Sequence, residues 1–367
     1  MATADEPAIR AEGLWMVFGD DAKRRLATEL GTAQGTAPGT TQNDGNRRDA
    51  VTETLRGAGL IPAVRDVSFD VGRGELFVIM GLSGSGKSTV IRCVSRLLEP
   101  SSGRVAIQGE DILSAKNRRL IELRRSRIGM VFQHFGLFPH MTVADNVAFP
   151  LRVQGTRSGE RRSRAEDVIR LVGLEGREDS YPRELSGGQR QRVGIARSLV
   201  MNPDIWFLDE PFSALDPLIR RQLQDEFLSL QAELNKSIVF ITHDIAEALK
   251  LADRITIMRD GVIVQVGTPA EIVLNPVDAY VAEFASEVPK GRLMKVEAMM
   301  RPMNGAALPE GGPVLAPAMS LEDALTRFVS SAGAAPLAVQ DGDGKTVGVV
   351  TPEALVKAMG EARDGAG

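Results

Sequence analysis

The sequence predicts an α/β fold built on a parallel sheet, and three observations carry that expectation. LFVIM at Leu76–Met80, IWFL at 205–208 and IVFI at 238–241 are short, unbroken apolar runs, as strands covered on both faces are. Helical patterns separate them; Val90, Ile91, Val94, Leu97 and Leu98 are spaced to cover one helix face. GLSGSGKST at 81–89 joins the first run directly to that helix. Strand, glycine loop and helix in that order give the Gly-x-x-x-x-Gly-Lys-Ser pattern its meaning.

Taken in order, residues 8–19 read as a strand ending in a turn. The Gly/Thr/Ala-rich tract 31–46 has no apolar period and reads as part of a flexible insertion covering about 20–60. From Ile61, AVRDVSFDV alternates as a half-buried antiparallel strand should. Further on, 255–258, Asp260-Gly261 and 262–266 form the pattern of a hairpin with a tight turn. Composition shifts after about 285. Residues 286–312, rich in Met, Pro and Gly, read as a linker between a large domain (1–285) and a small one (313–367) with a β-α-β-β-α pattern.

The chain of 367 residues is long enough for that pair of domains. A net charge of −4 argues against holding nucleic acid by phosphate neutralisation. Cys93 is the single cysteine, which excludes an internal disulfide and fits a reducing compartment; it reads as core. No stretch approaches the roughly 20 apolar residues of a membrane span, and the N-terminus lacks the apolar segment of a secretory signal. A membrane role must therefore come through a partner.

The chemistry sits at strand ends. Across Gly81, Leu82, Ser83, Gly84, Ser85, Gly86, Lys87, Ser88 and Thr89, backbone N–H groups at a helix start would curl around nucleotide phosphates. Lys87 adds a point charge between the phosphates, and the Ser88 hydroxyl is placed for Mg²⁺. Asp209 ends the IWFL strand, where open α/β sheets bind ligands, and reads as a second metal-side group. Glu210 follows it as candidate general base for the attacking water. His243, past the IVFI strand, is placed to reach the γ-phosphate. Gln133, closing the strand IGMVFQ, offers an amide to metal and water.

One motif fits none of this within a single chain. In LSGGQ at 185–189, Ser186 can cap the helix that follows, and Gly187 and Gly188 leave N–H groups bare before Gln189. Such a helix start attracts an anion, yet the chain's own phosphate loop is complete. The economical solution is a two-fold dimer in which each copy completes the other's site, with ATP as the glue.

Together the P-loop, Gln133, LSGGQ, Asp209-Glu210, SALD at 213–216 and His243 resemble the ATPase subunits of ABC transporters, over about 8–285. The resemblance implies a P-loop NTPase with a RecA-like core and antiparallel β and α-helical subdomains, the latter at about 140–202. It also implies Mg·ATP hydrolysis, Asp216 in the loop across the dimer interface, and Phe18 stacking on adenine with Trp15 as rival. Stretches such as VFQHFGLFPHMTVADNVAF and VQVGTPAEI resemble the importers of glycine betaine, proline betaine and choline; another small solute such as an amino acid is the alternative. Partners implied are a second copy, a permease docking near 133–142 on Phe135, Phe138 and Pro139, and indirectly a substrate-binding protein. Nucleic acid is not among them, and the implied location is the cytoplasmic face of a bacterial inner membrane.

The tail resembles a single CBS module. Nucleotide-binding modules commonly carry Asp three positions after the Thr of GVVT, where this chain has Ala354. Seven acidic residues against four basic ones from 313 onward also oppose a cationic sensor, so a contact between subunits is expected. The basic runs 117–127 and 156–164 read as solvated helix faces. A soluble ABC protein of DNA repair or translation would need a coiled-coil insertion or fused halves. A P-loop kinase would lack LSGGQ, and a GTPase would show Asn-Lys-x-Asp, which is absent here.

Overall fold

The computed structural model describes residues 6–32, 41–132, 136–213, 215–286, 295–301, 314–330, 336–342, 344–351 and 353–355. Contacts divide the chain into two units, Met1–Val266 and Gly267–Gly367.

The first unit begins with β1 (Ile9–Phe18), α1 (Ala22–Thr32), α2 (Thr41–Gly57), β2 (Ile61–Val71), β3 (Leu76–Met80) and α3 (Lys87–Val94). It continues through β4 (Ser102–Ile107), β5 (Glu110–Asp111), α4 (Asn117–Ser126), β6 (Ile128–Val131), α5 (Val143–Val153), α6 (Ser158–Leu171) and α7 (Gly187–Leu199). The last part holds β7 (Ile205–Asp209), α8 (Pro217–Leu234), β8 (Ser237–Thr242), α9 (Ile245–Leu251), β9 (Arg254–Arg259) and β10 (Val262–Gly267).

Six of these strands form one sheet in the order β10-β9-β3-β8-β7-β6, parallel from β9 to β6. A second, antiparallel sheet has the order β2-β1-β4-β5. Alternation along the central strands serves both faces. Phe77, Phe207 and Ile241 join Val90, Ile91 and Cys93 of α3 and the apolar face of the second sheet in one buried core. Trp206 and Phe240, one residue out of phase, meet Phe212 and Phe227 of the α8 side instead. Trp206 Nε1 also donates to Ser198 Oγ at 2.8 Å, which ties α7 to the sheet. The α5, α6 and α7 helices pack on one another as the helical subdomain. Asp260 and Gly261 both take positive φ (50° and 81°), the mirror-image turn that matches strand twist, so the β9–β10 hairpin forms as the dipeptide predicts.

The expectation of a structureless insertion is corrected where 20–60 is described. Its helices bury Leu26, Val51 and Leu55 against Trp15, Val17 and Leu60. The α2 apolar residues sit four apart and meet a strand already presenting Trp15, so tertiary burial overrides a polar composition. The basic runs match their reading: Arg118, Arg119, Arg162 and Arg164 pair with acids one helical turn away or across a short loop, all partly exposed.

The second unit holds α10 (Pro269–Leu274), α11 (Ala279–Ser286), β11 (Val314–Leu315), α12 (Leu321–Ser330), β12 (Leu337–Gln340) and β13 (Thr346–Val350). Its sheet has the order β11-β12-β13, with β11 parallel and β13 antiparallel to β12. The linker expectation is corrected here too. Val296 is fully buried with Leu315, Leu321, Val339 and Leu355, while Met299 and Met300 pack alongside. Arg301 exchanges backbone hydrogen bonds with Val349 at 2.9 and 3.0 Å. Residues 295–301 thus belong to the small fold, and the α10 and α11 helices, expected in the larger domain, fall in the second unit.

Candidate functional site

Strand order decides which residues meet. Because β8 lies between β3 and β7, the register places Met80 beside Thr242 and Ile241 beside Asp209. The residues that follow those ends, Gly81, His243 and Glu210, therefore emerge at one edge of the sheet.

The phosphate loop is shaped by close approach. Gly81 has φ 149°, and a Cβ there would run into the Met258 carbonyl and lie 2.8 Å from Ser85 Oγ. At Gly86 (φ 99°) it would lie 2.6 Å from the Ala63 carbonyl. Leu82, Ser83 and Gly84 are exposed at the tip; Ser88 and Thr89 are half-buried. Ser85 Oγ is buried without a hydrogen-bond partner among the described residues, an orphan atom suited to a phosphate oxygen. Lys87 Nζ donates to the Gly81 and Leu82 carbonyls at 2.7 and 2.9 Å. Burial lowers its pKa, opposed by the charges of Glu210 and Asp209.

Ser88 Oγ donates to Asp209 Oδ1 at 2.9 Å. A hydroxyl and a carboxylate standing together are hard oxygen donors of the kind Mg²⁺ takes, and the pair fits that ion. Burial raises the Asp209 pKa, with the Ser88 hydrogen bond pulling the other way.

Glu210 holds φ 46°, left-handed for a non-glycine residue. Its N–H donates to the Ile241 carbonyl at 3.1 Å, and its own carbonyl accepts from Ser213 N and Oγ at 3.3 and 3.0 Å. That conformation carries the side chain to His243, whose Nδ1 lies 3.2 Å from Glu210 Oε2. Two neighbours escaped the sequence reading. Thr242 Oγ1 accepts from Asp244 N at 3.0 Å, and Asp244 Oδ1 caps α9 by accepting from Glu247 N at 3.1 Å. The signal was Asp244 followed three residues later by Glu247.

Ser186 caps α7, with Oγ accepting from Gln189 N at 3.2 Å while Gln189 Oε1 accepts from Ser186 N at 2.9 Å. Ser186 is exposed, Gly187 half-buried, and Gly188 is packed so that a Cβ would lie 3.0 Å from Ile219. Asp216 is exposed as the residue preceding α8. Gln133 and Phe135 lie outside the described residues.

Phe18 is 39% exposed, whereas Trp15 is 3% exposed beneath the insertion helices, which removes Trp15 as a base-stacking rival. Phe138 is half-buried, its ring 4.5 Å from that of Phe149. Pro139 is exposed. Among the described residues no helix is long and apolar enough to cross a membrane.

The ABC transporter family model matches residues 64–213 and the CBS domain model residues 297–361. The ATP-binding protein TmoW of the trimethylamine N-oxide transport system of Ruegeria pomeroyi is 55% identical over 84% of this chain and 85% of its own length. TmoW of Pelagibacter ubique is 52% identical over 80% and 82%. The glycine betaine/proline betaine transport ATP-binding protein ProV of Escherichia coli is 55% identical over 63% of this chain and 58% of its own. A dimeric, post-hydrolysis ATP-binding cassette bound to ADP and phosphate superposes with a TM-score of 0.56 at 29% identity, covering 71% of this chain and 98% of that one.

Proposed function

The chain belongs to the ATP-binding subunits of ABC transporters, and from that premise we propose that it powers uptake of a small solute with a fully substituted nitrogen. Two relatives matched over most of their length serve trimethylamine N-oxide, and ProV serves betaines. These cargoes share a nitrogen that carries methyl groups, or ring carbons, and no N–H. The N-oxide accordingly stands ahead of the betaines and choline first expected. Cargo would be selected by a permease and a binding protein, with this chain acting from the cytoplasmic side.

The observation that carries the ATPase chemistry is the convergence of Lys87, Ser88, Asp209, Glu210 and His243 at one sheet edge. Backbone N–H groups of 81–89 and the Lys87 ammonium would hold the β- and γ-phosphates. Ser88 and Asp209 would hold Mg²⁺, with Gln133 as a further ligand; when bound, the ion offsets phosphate charge. Glu210 would take a proton from the attacking water at a carboxylate oxygen, and His243 would fix that carboxylate and face the γ-phosphate. Phe18 would stack on adenine. Ser186, Gly187, Gly188 and Gln189 of a second copy, with its Asp216, would close the far side of each nucleotide. The small unit would contact its twin; Ala354, whose N–H donates to Thr351 Oγ1 at 3.3 Å, offers no carboxylate to a ribose.

The test is uptake by proteoliposomes holding this chain with its permease and binding protein, supplied with ATP inside. Labelled trimethylamine N-oxide, glycine betaine and choline are compared with an amino acid. Accumulation of the methylated nitrogen compounds supports the reading, and transport of the amino acid alone refutes it.

A further inference from the structure

We infer that Arg220 is a positioning residue that joins the loop carrying Asp216 to the loop carrying His243. Its guanidinium reaches both. Nη2 donates to the Leu215 carbonyl at 3.1 Å, immediately before Asp216, and Nη1 donates to Asp244 Oδ2 at 3.3 Å, immediately after His243.

The two anchors are themselves fixed. Arg220 N donates to the Asp216 carbonyl at 2.9 Å, so the side chain is carried on the first turn of α8. Asp244 is spent at every hydrogen-bonding atom of its cap: Oδ1 accepts from Glu247 N, its own N–H donates to Thr242 Oγ1, and Oδ2 is left for Arg220. Glu247 is held from the other side by Gln224 Nε2, which donates to Oε1 at 3.0 Å. Arg220 is only 26% exposed, and its Nε is buried without a hydrogen-bond partner among the described residues. An arginine half-buried for two contacts and one unmade one is costly for mere stability. A forked donor spanning two loops is what the geometry exploits, and lysine has no such fork.

The chain of contacts runs from the Leu215 carbonyl through Arg220 and Asp244 to His243 and Glu210. Displacement of Asp216 therefore moves the histidine that holds the catalytic carboxylate. The inference rests on the proposal that Asp216 meets a second copy and that Glu210 activates water. Under it, assembly of the dimer sets Glu210, and one site senses the state of the other.

The experiment uses the full chain with its permease, comparing Arg220→Lys, Arg220→Ala, Asp244→Asn and the double variant Arg220→Ala/Asp244→Asn, each with thermal unfolding recorded. Arg220→Ala is expected to lower kcat about 10²-fold, the order seen when a catalytic group is misplaced by about 1 Å. KM for ATP stays within about twofold and the Hill coefficient falls. The double variant should be no slower than either single one, because both cut the same link. Arg220→Lys keeps the charge and the fold but not the two-point contact, so it too loses turnover and cooperativity. Wild-type kcat and Hill coefficient in Arg220→Lys, or losses that multiply in the double variant, overturn the inference. Glu210→Gln separates the two levels. If it still turns over ATP, the underlying site reading falls; if it is dead while Arg220→Lys is normal, only the role of Arg220 falls.

Discussion

His243 Nδ1 lies 3.2 Å from Glu210 Oε2, although 33 residues separate them in sequence. The contact exists because β7 and β8 are parallel neighbours whose C-terminal ends are level, and because Glu210 accepts a left-handed backbone. Strain of that kind persists where surrounding structure over-determines it, here through the Ile241 carbonyl and Ser213.

Glu210→Gln should keep ATP affinity and lower kcat about 10² to 10⁴-fold, the usual contribution of a positioned base. Size-exclusion chromatography with ATP should show a trapped dimer. His243→Ala should lower kcat with KM little changed, because it removes the partner that aims the carboxylate. Normal turnover in the glutamine variant would refute the base assignment.

Phe18 and Trp15 separate by opposite readouts. Trp15→Ala empties a packed cluster and should cost about 3–5 kcal/mol of stability, read as a lower denaturant midpoint. Phe18→Ala should leave that midpoint in place and raise KM for ATP. A stability loss at Phe18 with unchanged KM would contradict its placement as base platform.

Glu247 titrates against the fold. Burial raises its pKa, only partly opposed by hydrogen bonds from Thr242 and Gln224. A carboxyl raised in the native state stabilises fully below the ordinary value of 4.5 and loses that contribution as pH climbs through the raised one. Glu247→Gln removes the dependence. Wild type should therefore lose stability relative to the variant as pH rises above about 4.5, measured by urea unfolding across a pH series. A difference that stays constant over that series would show that Glu247 is not desolvated.

Cys93 is fully buried on α3, and burial, followed by the charge of Glu99, pushes its thiol up to about 12. A thiol reagent at pH 8 should leave the native chain unlabelled and modify it in urea. Prompt labelling of the native protein would mean that the core beneath the phosphate loop opens readily.

The phosphate loop was legible because its demands are local: glycines at fixed spacing, a strand before and a helix after. So was the Ser186 cap, which the residue three positions on completes. The direct contacts of Glu210 with His243 and of Ser88 with Asp209 were not, since each depends on strand order, which unbroken apolar runs do not encode. The insertion was misread because α2 offers only Val51 and Leu55 to a helical period, and their partner Trp15 lies on another element. Residues 295–301 were misread because Met and Pro suggested a tether, whereas Val296, Met299 and Met300 fill a core contributed by later strands.

Phe18 and Ile61 are cross-strand partners at the ends of β1 and β2, so everything between them leaves and re-enters the sheet through a single rung. The cassette could be closed there by a short reverse turn without disturbing any pairing below it. Excision would, however, lay Trp15 and Val17 open to water, making an adhesive patch next to Phe18. The appendage is thus graftable in its connectivity and obligatory in its chemistry: a shortened cassette would stay monodisperse only with polar replacements at those two positions.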